Sequence, residues 1–288
     1  MISKSMGGIC LSTALLAMSL STALPLAAQP VGNGPPPNGP PRMPMKIDPD
    51  PRAQQRTYHF QDTNEDLAYT VFVSSKVKKD KPAPLIVALH GFGGDSNFIV
   101  RGKLIDLAEE GGYIVVGPMG YNVAGWYGSP VIVMGGGTEV KPANLRELSE
   151  KDVLNVLEMA RKEFKVDPDR TYLMGHSMGG AGTLFLAQKY SGQWAAAAAI
   201  APAAFMMQPT QKDILAPIQK ARLPLMITQG DKDNVVPPTN TRTWAAAMDD
   251  LKLPDHRYIE MEGRDHGTII GDSMPAIFEF FAAHKRGH

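Results

Sequence analysis

Hydrophobic and polar positions along the chain follow patterns that distinguish strands from helices. Residues 57–60 and 67–74 alternate apolar with polar side chains around a polar turn, which predicts an antiparallel hairpin at a sheet edge. Later apolar runs predict strands inside a sheet, where burial on both faces favours continuous hydrophobicity. These runs are residues 84–91, 113–117, 171–175, 223–229 and 256–262.

Apolar residues at helical spacing separate most of these strands. The predicted helices are residues 98–110, residues 149–164, a segment after Gly180, residues 239–251 and residues 274–284. In the helix at 149–164, Val153 and Leu157 lie on one apolar face, and Ser149 with Asp152 is expected to cap its start.

The run 195–200 contains five consecutive alanines, which favour a helix by intrinsic propensity. The alternation of strands and helices nevertheless requires a strand there. The order of elements predicts the α/β class, with a mainly parallel, doubly wound sheet preceded by an N-terminal antiparallel hairpin. In such sheets the working site lies beyond the carboxyl ends of the strands.

The first 28 residues have the features of a secretory signal. Lys4 supplies a positive charge, residues 9–20 are apolar, and Leu26-Ala27-Ala28 offers a small-residue cleavage site. The apolar run is shorter than the roughly 20 residues that span a membrane, which favours a cleaved signal over an anchor. We therefore expect a secreted or periplasmic protein with no membrane span after cleavage.

Residues 29–51 are rich in proline and glycine. Nine of the 24 prolines lie between Pro30 and Pro51, and such a segment cannot bury a core. It is predicted to be a disordered linker, and residues 52–288 are predicted to form one catalytic domain.

Charge and cysteine content narrow the functional classes. The chain has 29 basic and 29 acidic side chains, a balance that favours neither nucleic acid nor an anionic membrane as a partner. Cys10, inside the predicted signal, is the only cysteine, which removes cysteine nucleophiles from the mature chain. No metal-ligand spacing or phosphate loop occurs, so no metal or cofactor is expected.

Chemistry is first indicated where the strand 171–175 turns into a helix, at Gly175-His176-Ser177-Met178-Gly179. So sharp a turn forces strained backbone angles on Ser177, which hold its hydroxyl above the sheet. Glycine is needed at 175 and 179 because the helix starts too close to the strand for a β-carbon. Ser177 is a candidate nucleophile, and a glycine-rich turn with a solvated serine is the structural alternative.

A serine hydroxyl is a weak nucleophile and needs a base that an acid orients. The best candidate base is His266, which lies in a polar loop after the last predicted strand. The alternative is an exposed loop histidine without a catalytic role.

The candidate acid lies in the loop after strand 223–229. We choose Asp233, because it has left the strand and lies just before the apolar Val235-Val236, which can anchor the loop. Asp231 is expected to shape the turn, and Asp265 is too close to His266 in sequence to reach its ring.

Two backbone amides are candidates for stabilising an oxyanion. One belongs to Met178, directly after the nucleophile, and the other to Phe92, in the glycine-rich loop after strand 84–91. Trp126 and Tyr127 follow another strand on the same edge, and they either wall a substrate pocket or cover the core. Residues 205–207 are a candidate cap over the site.

Four motifs occur in a fixed order: His90-Gly91-Phe92-Gly93-Gly94, the elbow at 175–180, the acidic loop at 230–237, and Asp265-His266-Gly267. Together they resemble the α/β-hydrolase superfamily. Within it the chain resembles secreted esterases of the feruloyl-esterase and polyhydroxybutyrate-depolymerase-like group, with some likeness to prolyl-oligopeptidase-type peptidases. The resemblance covers residues 57–284 and implies the α/β-hydrolase fold, with Ser177 as nucleophile, Asp233 as acid and His266 as base.

The expected function is that of a secreted serine hydrolase that cleaves small-molecule or oligomeric carboxylic esters through an acyl-enzyme. A serine peptidase of the prolyl-oligopeptidase type is the enzymatic alternative, although 288 residues leave no room for a large accessory domain. A surface-binding protein on a catalytically silent hydrolase fold is the non-enzymatic alternative, and it would require a broken triad. The sequence leaves the acyl and alcohol groups and the oligomeric state open.

Overall fold

The computed structural model describes residues 47–132 and 141–287. The signal predicted at 1–28 lies outside these residues, as does most of the linker predicted at 29–51. The last residues of that linker do contact the domain. The Asp50 carboxylate accepts hydrogen bonds from the Arg52 guanidinium and, at 3.1 Å, from the Gly102 amide. The packed chain therefore starts slightly before residue 52.

Eight strands form one sheet in the order β1-β2-β4-β3-β5-β6-β7-β8. The strand β2 pairs antiparallel with β1 and with β4, and every other pair is parallel. The predicted parallel sheet with an N-terminal antiparallel hairpin is thus confirmed. The strands are β1 Gln54–Phe60, β2 Glu65–Val73, β3 Ala83–Leu89, β4 Ile114–Pro118, β5 Val166–His176, β6 Ala196–Ile200, β7 Leu225–Gly230 and β8 His256–Met261.

Helices cover both faces of the sheet. On one face, α1 and α6 pack on side chains such as Ile86 and Met174, and on the other, α2 to α5 pack on side chains such as Val87 and Leu173. Neighbouring residues of a strand point to opposite faces, which is why the buried strands are apolar throughout. The helices are α1 Lys103–Gly111, α2 Leu145–Glu163, α3 Met178–Lys189, α4 Gln211–Lys220, α5 Pro238–Asp250 and α6 Thr268–Ala283.

The alanine run forms a strand, as the alternation of elements predicted. Each residue of β6 is fully buried between β5 and β7. Its small side chains let α3 pack close to the sheet, since a β-carbon on Gly180 would lie only 3.0 Å from the Ile200 carbonyl oxygen. Tertiary packing therefore overrides the helical propensity of alanine.

Three predicted helix starts are wrong. The helix α1 begins at Lys103, five residues late, because Gly102 has φ 52° and interrupts the helical path. The helix α6 begins at Thr268 and runs through Pro275, although proline favours the first turn of a helix.

The start of α2 is also wrong, because this helix begins at Leu145. Ser149 and Asp152 are therefore buried inside the helix and do not cap it. The sequence analysis also missed α4, which follows β6 after a short 3₁₀ segment, Phe205–Thr210. Across residues 47–132 and 141–287, no helix combines the length and hydrophobicity needed to cross a membrane.

Candidate active site

The turn between β5 and α3 has the strained geometry that its glycines suggest. Ser177 has φ 56° and ψ −113°, and its amide donates to the Ile200 carbonyl at 2.9 Å. A β-carbon on Gly175 would lie 2.3 Å from the Gly179 carbonyl oxygen, and one on Gly179 would lie 2.3 Å from the Leu89 oxygen. Glycine is thus obligatory at both positions, and Ser177 is held where the strand ends.

Ser177, His266 and Asp233 form one continuous chain of hydrogen bonds. The Ser177 Oγ lies 2.9 Å from His266 Nε2, and His266 Nδ1 lies 2.7 Å from Asp233 Oδ2. The three residues come from the turns after β5, β8 and β7, which end at the same edge of the sheet. A hydroxyl, an imidazole and a carboxylate in this order can activate the serine by general-base catalysis.

The Asp233 carboxylate accepts four hydrogen bonds. Its Oδ1 accepts from the amides of Val235 and Val236 at 2.9 and 2.8 Å, and its Oδ2 accepts from His266 and, at 3.1 Å, from Gln229 Nε2. Burial by itself would raise the pKa of Asp233, but the bonds from His266 and the two amides outweigh it, so the pKa is lowered. Asp233 is therefore an anion that faces the His266 ring.

Gln229 was missed by the sequence analysis. It is the fifth residue of β7, is fully buried, and donates to the Val236 carbonyl at 3.0 Å as well as to Asp233. The sequence signal for Gln229 is an amide side chain at the end of a buried strand, directly before the acidic loop.

Asp231 and Asp265, the other two acidic residues considered near His266, stabilise turns. The Asp231 carboxylate accepts from the Gly263 amide at 2.6 Å, and Asp265 accepts from the amides of Gly267 and Thr268 at the start of α6. These contacts fix the loop that carries His266 without reaching the imidazole.

The proposed oxyanion donors are the main-chain amides of Phe92 and Met178. The amides of Phe92 and Met178 have no hydrogen-bond acceptor among the described residues. The adjoining Gly93 amide is bonded to the Val123 carbonyl at 2.9 Å. A β-carbon on Gly91 would lie 3.5 Å from Ser177 Cβ, so the loop after β3 passes beside Ser177.

Comparison with known proteins assigns the family. The family model described as "Putative esterase" matches residues 61–267, which is more than two thirds of the chain. The chain belongs to this esterase family. A curated relative, S-formylglutathione hydrolase of Bos taurus, is 29% identical over 147 residues, or 47% of this chain and 51% of that protein. The chain thus matches about half the length of this curated relative.

Solved structures with the same fold include further esterases. A thermostable esterase aligns with a TM-score of 0.62 and 25% identity, over 82% of this chain and 64% of that one. The S-formylglutathione hydrolase of Agrobacterium tumefaciens aligns with a TM-score of 0.61 and 18% identity, over 80% of this chain and 94% of that one. A ferulic acid esterase of Anaeromyces mucronatus aligns with a TM-score of 0.61 and 19% identity, over 86% of this chain and 98% of that one. These likenesses establish the α/β-hydrolase fold.

In this esterase-family chain, Trp126 and Tyr127 do not wall a pocket. Both side chains are buried in the core beside α3, and a β-carbon on Gly182 would lie 2.7 Å from the Tyr127 side chain. The Tyr127 hydroxyl donates to the His90 carbonyl at 3.2 Å. The structure therefore corrects the substrate-binding assignment to the core-covering alternative, because two rings without exposed surface cannot contact a substrate.

Exposed apolar side chains lie instead at the edge of the sheet that carries Ser177, Asp233 and His266. Among the described residues, the large hydrophobic side chains that are exposed are Phe92 at 41%, Met206 at 62% and Val235 at 61%. They lie on the segments after β3, β6 and β7, respectively. Met207, the other methionine of the predicted cap, is buried in the core.

Acidic, histidine and cysteine side chains do not gather into a metal site in the part of the chain that the structure describes. The buried His90 is held by two carbonyls, those of Gly91 and Met119, each at 2.8 Å from a ring nitrogen. Burial lowers the pKa of His90, although the two carbonyls oppose this shift, and the ring is a structural element of the β3 loop.

Proposed function

We propose that this protein hydrolyses carboxylic esters through an acyl-enzyme on Ser177. The observation that carries the proposal is the hydrogen-bond chain from Ser177 Oγ through His266 to Asp233, with distances of 2.9 and 2.7 Å. Membership of an esterase family and the α/β-hydrolase fold support the same reaction class.

Acylation begins when His266 Nε2 takes the Ser177 hydroxyl proton as Oγ attacks the ester carbonyl carbon. The carbonyl π electrons move to oxygen, and the Phe92 and Met178 amides stabilise the resulting oxyanion. When the tetrahedral intermediate collapses, the C–O bond to the alcohol breaks, and the alcohol leaves with the proton from His266. Asp233 stabilises the transient imidazolium through its bond to Nδ1.

Deacylation repeats these steps with water as the nucleophile. His266 removes a proton from water, the hydroxide oxygen attacks the acyl carbon, and the Ser177 Oγ leaves with the proton. The carboxylic acid is released and the enzyme is restored. The reaction needs no group beyond the triad and the two amides.

The exposed apolar residues support a substrate with an apolar acyl or aryl group. Phe92 carries one proposed oxyanion donor, Val235 lies two residues after Asp233, and Met206 lies on the segment after β6. A charged acyl group would lose hydration against these side chains without gaining a polar partner. We therefore expect uncharged apolar esters to react faster than charged ones.

The test compares hydrolysis of acetyl, butyryl and octanoyl p-nitrophenyl esters and methyl ferulate by the purified protein and its Ser177→Ala variant. We expect turnover by the wild type that the variant loses. Equal activity of the two proteins would contradict the nucleophile assignment. Wild-type cleavage of peptides but of no ester would overturn the proposal in favour of a peptidase.

We also propose that residues 1–28 direct export to the periplasm or outside the cell and are removed before Gln29. The order of positive charge, apolar run and small-residue site supports this. Intact mass of the protein recovered from a secreting bacterial host tests it. A mass that starts at Gln29 is expected, and retention of residues 1–28 would contradict it.

A further inference from the structure

His176, inside the turn that carries the nucleophile, contacts the loop of the base. Its side chain is buried, and its Nε2 lies 2.9 Å from the His266 carbonyl oxygen. The two imidazole centroids are 4.5 Å apart. The His176 ring also stacks on the Phe98 ring, with the ring centroids 6.0 Å apart and an angle of 14° between the ring planes.

The hydrogen-bond partner defines the protonation of the His176 ring. Burial, with a smaller contribution from the adjacent His266 ring, lowers the pKa of His176 to about 3, so the His176 ring is neutral at physiological pH. A carbonyl oxygen only accepts hydrogen bonds, so the proton resides on Nε2 and Nδ1 has a free lone pair. That Nδ1 is buried and has no partner in the described part of the chain.

A buried acceptor without a donor destabilises a fold, whereas an apolar side chain in the same space does not. Packing alone would therefore favour an apolar residue at position 176, between Phe98 and His266. The polar contact that the histidine does make is the bond to the His266 carbonyl. The His176 side chain thus contributes to the site by binding the main-chain carbonyl of His266.

The geometry of this contact couples it to the proposed nucleophile. His176 and Ser177 are consecutive, and both reach His266: one holds its carbonyl oxygen at 2.9 Å, the other its Nε2 at 2.9 Å. On its far side the same loop is held by the bond from the Lys232 amide to the Arg264 carbonyl, also at 2.9 Å. The His176 bond therefore ties the main chain of this loop to the turn that carries Ser177.

We propose that His176 is a positioning residue, whose Nε2–H bond to the His266 carbonyl fixes the separation between the base and the Ser177 hydroxyl. This inference rests on the proposed ester hydrolysis. It assigns to His176 no proton transfer and no contact with substrate. Without the bond, the main chain of His266 is free to move away from Ser177 while Asp233 still holds the ring.

The test compares His176→Leu, which removes the donor, with His176→Gln, whose terminal amide restores an N–H group. A fluorophosphonate probe measures the reactivity of Ser177, and a p-nitrophenyl ester gives kcat and KM. We expect kcat and the labelling rate of the leucine variant to fall by about 10–100-fold, since a misplacement near 1 Å can cost this much, with KM nearly unchanged. The glutamine variant should recover most of the loss.

Thermal unfolding separates positioning from a structural role. Both variants should unfold near the wild-type temperature, because the leucine variant also loses the buried, unpartnered Nδ1. Activity of His176→Leu within about twofold of wild type would overturn the proposal, because misplacement should cost more than this. Equal losses of activity in folded His176→Leu and His176→Gln would also overturn it. If His176→Leu and His176→Met both fail to fold while His176→Gln folds, the bond is structural and the proposal is wrong.

The same measurements distinguish an error in the proposed function from an error in the role of His176. A wild-type protein that neither reacts with the probe nor cleaves any ester would overturn the ester-hydrolase proposal and the His176 role with it. An active wild type with a fully active leucine variant would overturn the His176 role alone.

Discussion

The proposed site has an acid–base half and an oxyanion half, which are held in place in different ways. The acid–base half, in the turns after β7 and β8, is fixed by hydrogen bonds that each involve at least one side chain. Asp233 alone accepts four hydrogen bonds, and His266 is held through its ring and its carbonyl. Each contact there can be removed by one substitution.

The oxyanion half, in the loops after β3 and β4, is fixed mainly by the main chain. The Gly93 amide bonds to the Val123 carbonyl at 2.9 Å, so the β4 loop supports the loop that carries Phe92. The β4 loop is in turn fixed by Asp152 of α2, whose carboxylate accepts from the Gly120 amide at 2.6 Å and the Tyr121 amide at 3.2 Å.

This difference predicts how each half responds to substitution. In the acid–base half, a single side-chain change alters the reacting atoms directly. In the oxyanion half, side-chain changes should leave the donors in place, and only changes that alter the backbone or its remote support should matter.

The largest of the contrasting effects is expected for Asp233→Asn. The asparagine amide can donate toward His266 Nδ1, which favours the wrong imidazole tautomer, and a loss of kcat of about 10³–10⁴ is expected by analogy with serine proteases. Asp231→Asn, in the same loop but bonded to Gly263, is the matched control and should retain activity within a few-fold. Equal losses in the two variants would contradict the choice of Asp233 as the acid.

The second effect separates the backbone of the oxyanion half from its side chains. Phe92→Pro removes the proposed donor and should lower kcat by about 10²–10³, the usual cost of one oxyanion-hole donor. Phe92→Ala keeps the N–H group and should mainly raise KM for apolar esters. Circular dichroism and thermal unfolding confirm that the proline variant is folded. A folded proline variant as active as the alanine variant would exclude the Phe92 amide as a donor.

A smaller effect is expected from Gln229→Met, which removes one of the four donors to Asp233. A hydrogen bond to a charged group contributes enough that kcat should fall by about tenfold. The buried and unpartnered Gln229 Oε1 also disappears, so stability should change little. Unchanged kcat across the pH range would show that the other three donors suffice.

The smallest effect on activity, and the clearest on stability, is expected from Asp152→Asn. Burial raises the pKa of Asp152 from 3.8 to about 6, despite its bonds from Tyr58, Tyr121 and Gly120. The folded protein therefore binds this proton more tightly than the unfolded chain, and the resulting stabilisation is lost as pH rises through about 6.

Asparagine at position 152 can still accept from the two loop amides and can donate to the Tyr58 hydroxyl. Activity at neutral pH should stay within a few-fold of wild type. The free energy of unfolding of the variant relative to wild type should rise by about 2 kcal/mol between pH about 4 and pH about 7, since one pKa unit corresponds to about 1.36 kcal/mol and most of the titration falls in this range. Urea unfolding across this range measures it, and a pH-independent difference would be contrary to the expected titration.

The sequence predicted more of the strands than of the helix starts. Continuous hydrophobicity marked the parallel strands, and the alternation of elements correctly placed a strand at the alanine run. The starts of α2 and α6 depend on tertiary contacts: Ser149 in α2 accepts a hydrogen bond from the distant Tyr127 amide, and Pro275 is accommodated inside α6. Local capping patterns do not contain that information.

The same limit applies to the site. Spacing and chain order placed Ser177, Asp233 and His266 on loops that the sheet brings together. The supporting contacts of Gln229 and His176 were not predictable, because each depends on which atoms of another loop face a buried polar group. Trp126 and Tyr127 show the reverse case, since aromatic residues after a strand suit a pocket and a core equally well until burial is known.

The proposed acyl-enzyme is tested most directly by trapping it. The protein is mixed with p-nitrophenyl acetate, quenched in acid within the first turnover, digested and analysed by peptide mass spectrometry. We predict a burst of about one p-nitrophenol per protein, with the acetyl group on the peptide that contains Ser177 and none in Ser177→Ala. Turnover with the acetyl group on another residue, or an equal burst from Ser177→Ala, would contradict the proposed mechanism.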